Sequence, residues 1–181
     1  VGAADSTATA ETAVQEGNFD HSQNQLFAVL NPRFAGGASI GAAYKADMAA
    51  VNEYLAQPAV RELFPADIMF KWGVKGDDKI DGRFYLYAIR ISTPDGKAPL
   101  DGSVVTEARE QYAQRGANAV VSMSMNGEGT QEWARLTGEN IGKCIAIVLD
   151  GYVYSAPRVN TKIDKGSSQI TGDFTIQERS E

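Results

Sequence analysis

The chain has 181 residues, 17 Lys and Arg against 23 Asp and Glu, one Cys and one His, and 43% of it is hydrophobic. That is apolar material for one domain with a real core. The formal charge of −6 argues against a nucleic-acid partner, because such affinity rests on Lys and Arg displacing condensed counterions; one Cys makes no internal disulfide, and one His makes no multi-histidine metal centre.

Val1 opens the chain without a basic leader, and the first Lys or Arg is Arg33. The longest unbroken apolar run, Cys144 to Leu149, falls far short of the roughly 18–20 residues that cross a bilayer. The expectation is a piece excised from a longer protein. Val1 to Gln25 offers only Val1, Val14 and Phe19 as bulky apolar side chains and carries Asp5, Glu11, Glu16 and Asp20 with no cation. Such a stretch cannot offset its ordering entropy by burial, so residues 1–25 read as a mobile acidic linker or insertion and residues 26–181, nearly neutral, as the folded unit.

Leu26 to Leu30 reads as a short strand stopped by Asn31-Pro32. Met48, Val51 and Leu55 recur at helical spacing within Ala46 to Ala56. Pro58 opens a second helical turn and Phe64-Pro65 closes it. Ile68, Phe70, Trp72 and Val74 then alternate with Met69, Lys71 and Gly73, and Phe84, Leu86 and Ala88 alternate with Arg83, Tyr85 and Tyr87. Two period-two runs joined by a polar turn predict an antiparallel hairpin. Thr93-Pro-Asp-Gly96 is a turn.

Val104 to Arg115 reads as a strand end running into a helix stopped by Gly116, Val120 to Met125 as a strand, and the segment with Trp133 and Leu136 as a helix. Cys144 to Leu149, Asp150-Gly151 and Tyr152 to Ser155 form the strongest hairpin signal. Its first strand, apolar on both faces, is expected at the centre of a sheet under a helix. Ser168 to Thr171 is a further strand, and Thr175-Ile-Gln-Glu178 has the spacing of a capping box opening a helix. The fold class is α+β: a mostly antiparallel sheet built from hairpins, with two to three helices packed on it.

Chemistry-bearing motifs are weak. Gly138 to Gly142 with Lys143 has one residue too few for a phosphate loop and Cys144 where Ser or Thr should hold magnesium; Gly127-Glu-Gly129 lacks the third glycine of a dinucleotide loop. A Ser-His-Asp arrangement would need His21, inside the mobile stretch. Cys144 reads as a buried structural thiol, and Asp77, Asp78 and Asp81 read as a polar turn before a cation site. Catalytic residues, cofactor and metal are thus expected to be absent. Lys71, Arg83, Tyr85 and Tyr87 share the hairpin face opposite Phe70, Trp72, Phe84 and Leu86. Such a face could grip an extended polypeptide through ring contacts and free edge hydrogen bonds; ordinary surface is the alternative.

Six blocks carry a resemblance: Val121 to Asn126, Trp133 to Thr137, Glu139 to Lys143, Ala146 to Gly151, Val153 to Pro157 and Ile170 to Thr175. In order and spacing they resemble the first large extracytoplasmic domain of SecD, the protein-export accessory of the bacterial Sec translocase. Leu63-Phe-Pro65 and Pro99 to Gly102 are similar to the preceding part of the same module. The resemblance implies the head subdomain of the first periplasmic domain of SecD, or of a fused SecDF, in an inner-membrane protein of the resistance-nodulation-division type. It implies a non-enzymatic module that engages unfolded preprotein from the Sec channel in proton-motive-force-assisted export. SecF and the SecYEG channel would be met through the full-length protein, with no nucleic acid and no membrane contact by this piece. The family's early glycine-rich motif, its base and its charged membrane helices have no match here, so no proton-coupling residue carries over. A structural spacer or docking domain, or an extracytoplasmic hydrolase using Ser and Lys, are the alternatives.

Overall fold

The computed structural model describes residues 24–33, 37–91, 93–112, 119–171 and 175–178. Most of the expected linker, with His21, lies outside the described residues.

The first element is a helix, α1 (Gln25–Val29), where the sequence suggested a strand. The apolar run reads either way, and two interactions decide it. Asn24 Oδ1 accepts from the Leu26 amide at 3.0 Å and caps the turn, and Leu26, Val29 and Leu30 reach one core at helical spacing. Strands β1 (Asn31–Pro32) and β2 (Ser39–Ala43) follow. Helix α2 (Met48–Ala56) buries Val51 and Leu55, and α3 (Pro58–Arg61) begins on Pro58 as expected. The hairpin is β3 (Ile68–Asp77) and β4 (Arg83–Arg90), antiparallel with a register shift between Trp72 and Gly76. Trp72 and Leu86 on its inner face close a first core with Leu30, Ala43, Val51 and Leu55. Each such fully buried side chain contributes about 1.5–3 kcal/mol.

Strand β5 (Val105–Tyr112) pairs along its length with β6 (Ala119–Met125). The helix expected toward Arg115 is therefore replaced by strand as far as Tyr112, because a full-length partner overrides the helical propensity of Glu-Ala-Arg-Glu; Arg115 and Gly116 lie outside the described residues. Helix α4 (Gly127–Glu139) is capped by Asn126, whose Oδ1 accepts from the Gly129 amide at 2.8 Å. Gly129 lets this helix approach closely, since a Cβ there would stand 2.8 Å from Val104.

Strands β7 (Ile147–Leu149) and β8 (Tyr152–Ser155) form the expected hairpin. Asp150 and Gly151 both take positive φ, 50° and 84°, the signature of a type I′ turn. β9 (Arg158–Val159), β10 (Ser167–Thr171) and β11 (Thr175–Glu178) complete the chain. Thr175 to Glu178 is thus a strand and no helix start: β10 pairs with it antiparallel and β9 parallel, so its backbone is committed on both sides.

The architecture is α+β with two sheets, ordered β1-β2-β4-β3-β8-β7 and β5-β6-β10-β11-β9. Pairings are antiparallel except β3–β8 and β9–β11. The β7–β8 hairpin joins the first sheet through one parallel pair, Gly73 with Val153. β7 is a rim strand, contrary to the central place expected for it, with Val148 and Leu149 exposed. An apolar run says that side chains want cover, and says nothing about which strand covers the backbone.

A second core gathers Met125, Trp133, Val159 and Ile163 under α4. Trp133 Nε1 donates to Ser168 Oγ at 2.7 Å, Thr137 Oγ1 donates to the Trp133 carbonyl, and the Ile163 amide donates to Thr137 Oγ1 at 3.0 Å. These buried polar groups are paired, as burial demands. Ser122 Oγ, also buried, has no partner among the described residues. Ser168→Ala, which orphans the buried indole N–H, is expected to lower the unfolding free energy by about 1–3 kcal/mol. Ser122→Ala is expected to be neutral or slightly stabilising; urea denaturation of both variants checks the contrast.

Candidate functional site

Alternation along β3 and β4 sends Lys71, Arg83, Tyr85 and Tyr87 to the face away from α2, and the register sets Lys71 opposite Tyr87. All four are half-buried. The Tyr85 and Tyr87 rings meet edge to face at 6.5 Å between centroids, and the Tyr87 ring lies over Gly73, where a Cβ would come within 3.7 Å of it.

The face is more committed than its sequence suggests. The Arg33 guanidinium stacks 5.1 Å above the Tyr85 ring, and Tyr85 Oη donates to Asp77 Oδ2 at 3.1 Å. One strand end away the arrangement repeats: Arg83 lies 4.8 Å over the Tyr44 ring and donates to its hydroxyl, which in turn donates to Asp81 Oδ2 at 2.5 Å. Asp77 also accepts from the Lys79 amide at 2.9 Å. The turn carboxylates Asp77 and Asp81 thus serve as acceptors for tyrosine hydroxyls and order the turn. Arg33 and Tyr44 are the partners that sequence reading missed; they lie outside the alternating runs, and nothing local signals a stack formed across the sheet.

Two further placements matter. β4 lies between β2 and β3, while β8 pairs with β3 at Gly73 alone, so the edge of β3 beside Lys71 has no strand partner among the described residues, and the rim strand on that side of the sheet is β7. Cys144 does not sit in a buried strand: it is half-buried, in an isolated bridge with Arg158. Gly142 (φ 79°) lies in the turn that follows α4, its amide donating to the Val159 carbonyl.

A separate exposed patch was also missed. Val153 on β8 is 2% exposed, and its neighbours Tyr152 and Tyr154 point the other way at 46% and 47%. Leu149 faces Tyr152 in register and is 56% exposed. Beside Gly73, Val74 is exposed as well. The rim hairpin therefore carries apolar and aromatic side chains where a surface hairpin would carry charge. Among the described residues no group of His, Cys, Asp and Glu is placed to hold a metal ion, and no helix is long and apolar enough to cross a membrane.

Burial first, and then the hydrogen bond to Asp77, push the Tyr85 hydroxyl above the ordinary tyrosine value; burial does the same for Tyr87. A raised folded pKa means the folded state holds the proton more tightly, so this contribution to stability is present below the unfolded pKa and is lost as pH rises through the folded one. Asp77→Asn removes the carboxylate that disfavours tyrosinate. The Tyr85 midpoint, followed by ring carbon resonances, is expected to fall toward 10; an unchanged midpoint contradicts the contact.

Against known proteins, the family described as SecDF, P1 head subdomain, matches residues 88–181. The SecD protein translocase subunit of Rhodothermus marinus is 39% identical over 92% of this chain and 27% of its own length. That of Rickettsia conorii is 33% identical over 98% of this chain and 32% of its own. The chain thus spans about a quarter to a third of those relatives. A solved structure of SecDF, described as a membrane component that enhances protein export, is 22% identical, covering 80% of this chain and 70% of that one at a TM-score of 0.39. SecDF in a super-membrane-facing form is 22% identical over 75% of this chain and 20% of that chain, with a TM-score of 0.40.

Proposed function

The chain belongs to the SecD family of protein translocase subunits, and from that premise we propose that it handles unfolded polypeptide on the extracytoplasmic side of the bacterial inner membrane. In this reading it holds preprotein leaving the Sec channel, weakly and without covalent chemistry. The proton-motive force and the contacts with SecF and SecYEG are supplied by other parts of the full-length protein.

The observation that carries the reading is the aromatic and apolar surface on adjoining hairpins: half-buried Tyr85 and Tyr87 on one face of the sheet, and exposed Leu149, Tyr152 and Tyr154 on the other. A client held transiently and without sequence preference calls for ring and aliphatic contacts of this kind. Because β4 is flanked on both sides, Arg83, Tyr85 and Tyr87 would act through side chains alone, with Lys71 beside them on β3. The folded unit is taken as residues 26–181. The first core lies wholly before the family match at 88–181, while the Gly73–Val153 pair ties the two halves together. Residues 1–25 remain the proposed linker or insertion, with its end at Asn24 and Gln25, the cap and first residue of α1.

The test is photocrosslinking of this chain to an unfolded secretory precursor. Crosslinks are expected, reduced about threefold by Tyr85→Ala or Tyr87→Ala in protein of unchanged far-ultraviolet circular dichroism. Absence of crosslinks to every precursor tried makes the domain a spacer or a docking surface for another membrane protein.

A further inference from the structure

Two sheets have four rims, and three of them are closed. β1 is two residues long and contains Pro32, which has no N–H to donate. β5 carries Glu107 and Arg109, exposed and ion-paired at 2.5 Å, charges of the kind that deter a second strand. β9 is covered by its own chain, since Gly142 and Ile145 donate to Val159 and Pro157, Val159 donates to Lys143, and Cys144 bridges Arg158. β7 has none of these devices. Its sequence is Ile-Val-Leu, and its outer side meets no strand among the described residues.

We infer that β7 is the strand on which an extended, unfolded polypeptide segment pairs by its backbone, with apolar side chains at alternate positions resting on Leu149, Tyr152 and Tyr154. This rests on the polypeptide-handling reading and assigns it a location and a mode. In a two-residue hairpin the closing pair, here Leu149 with Tyr152, bonds inward. The residue before it, Val148, then turns its N–H and C=O outward. Backbone pairing of this kind is indifferent to client sequence, and the exposed rings favour apolar neighbours. The short strand argues against a second copy of this chain as occupant. Three residues offer about 10 Å of edge, too short a pairing to build by itself the roughly 1,200 Å² that a stable interface buries, but adequate for a brief hold.

The test measures binding of a labelled, reduced and carboxymethylated unfolded protein and of a lysine-flanked peptide of alternating Val and Thr to this chain. The same peptide N-methylated at alternate amides is the control. Val148→Pro removes the outward N–H from a rim position that tolerates proline, and Leu149→Lys places a charge on the rim should the first variant fold poorly. Each variant, and the N-methylated peptide, is expected to weaken binding about tenfold. Undiminished binding with either variant or with the methylated peptide overturns strand addition while the polypeptide-handling function stands. Failure of the unaltered chain to bind the unfolded protein overturns that function itself. A dimer of the unaltered chain that Val148→Pro dissociates also overturns the inference, by making a second copy the occupant.

Discussion

A strand at the rim of a sheet exposes a row of N–H and C=O groups that water, another strand or a blocking side chain must satisfy. The rest of this structure is arranged around that constraint. The strands divide between two sheets, and each sheet then has rims to manage. The proline of β1, the charge pair of β5 and the loop folded over β9 are three solutions of different chemistry. The uncharged rim of β7 stands apart from all three, on the hairpin with the exposed tyrosines.

Val153, 2% exposed, seats that hairpin against β3. One parallel pair, Gly73 with Val153, joins it to β3. The two cores are otherwise built separately, one from α2 against β3 and β4, the other from α4 against the second sheet. In the second, the chain of bonds from Trp133 to Ser168 and through Thr137 to Ile163 anchors the helix that precedes β7. The two cores thus carry a small, open-edged hairpin at the end of the first sheet.

What was legible in the sequence was local. Alternation from Ile68 to Val74 and Phe84 to Ala88 revealed the hairpin, Met48, Val51 and Leu55 the helix, Asp150-Gly151 the tight turn, and Pro58 the start of α3. What escaped was settled by partners distant in sequence. Leu26 to Leu30 is helical because of a cap and a core contact; Val105 to Tyr112 and Thr175 to Glu178 are strands because neighbouring strands claim their backbones. The candidate face divides in the same way. The shared side of Lys71, Tyr85 and Tyr87 follows from period two, whereas the Arg33 and Arg83 stacks and the place of β8 beside β3 depend on segments distant in sequence.

Membership in the SecD family supplies the setting, and the rim of β7 is the point of contact we propose. Amide hydrogen exchange, read residue by residue by NMR in the presence and absence of saturating unfolded polypeptide, addresses that claim most directly. The account expects exchange at the Val148 amide to slow when polypeptide is bound, with the amides of Glu107 and Arg109 on the charged rim unchanged. Protection spread equally over both rims, or no protection at Val148 while the polypeptide is bound, contradicts it.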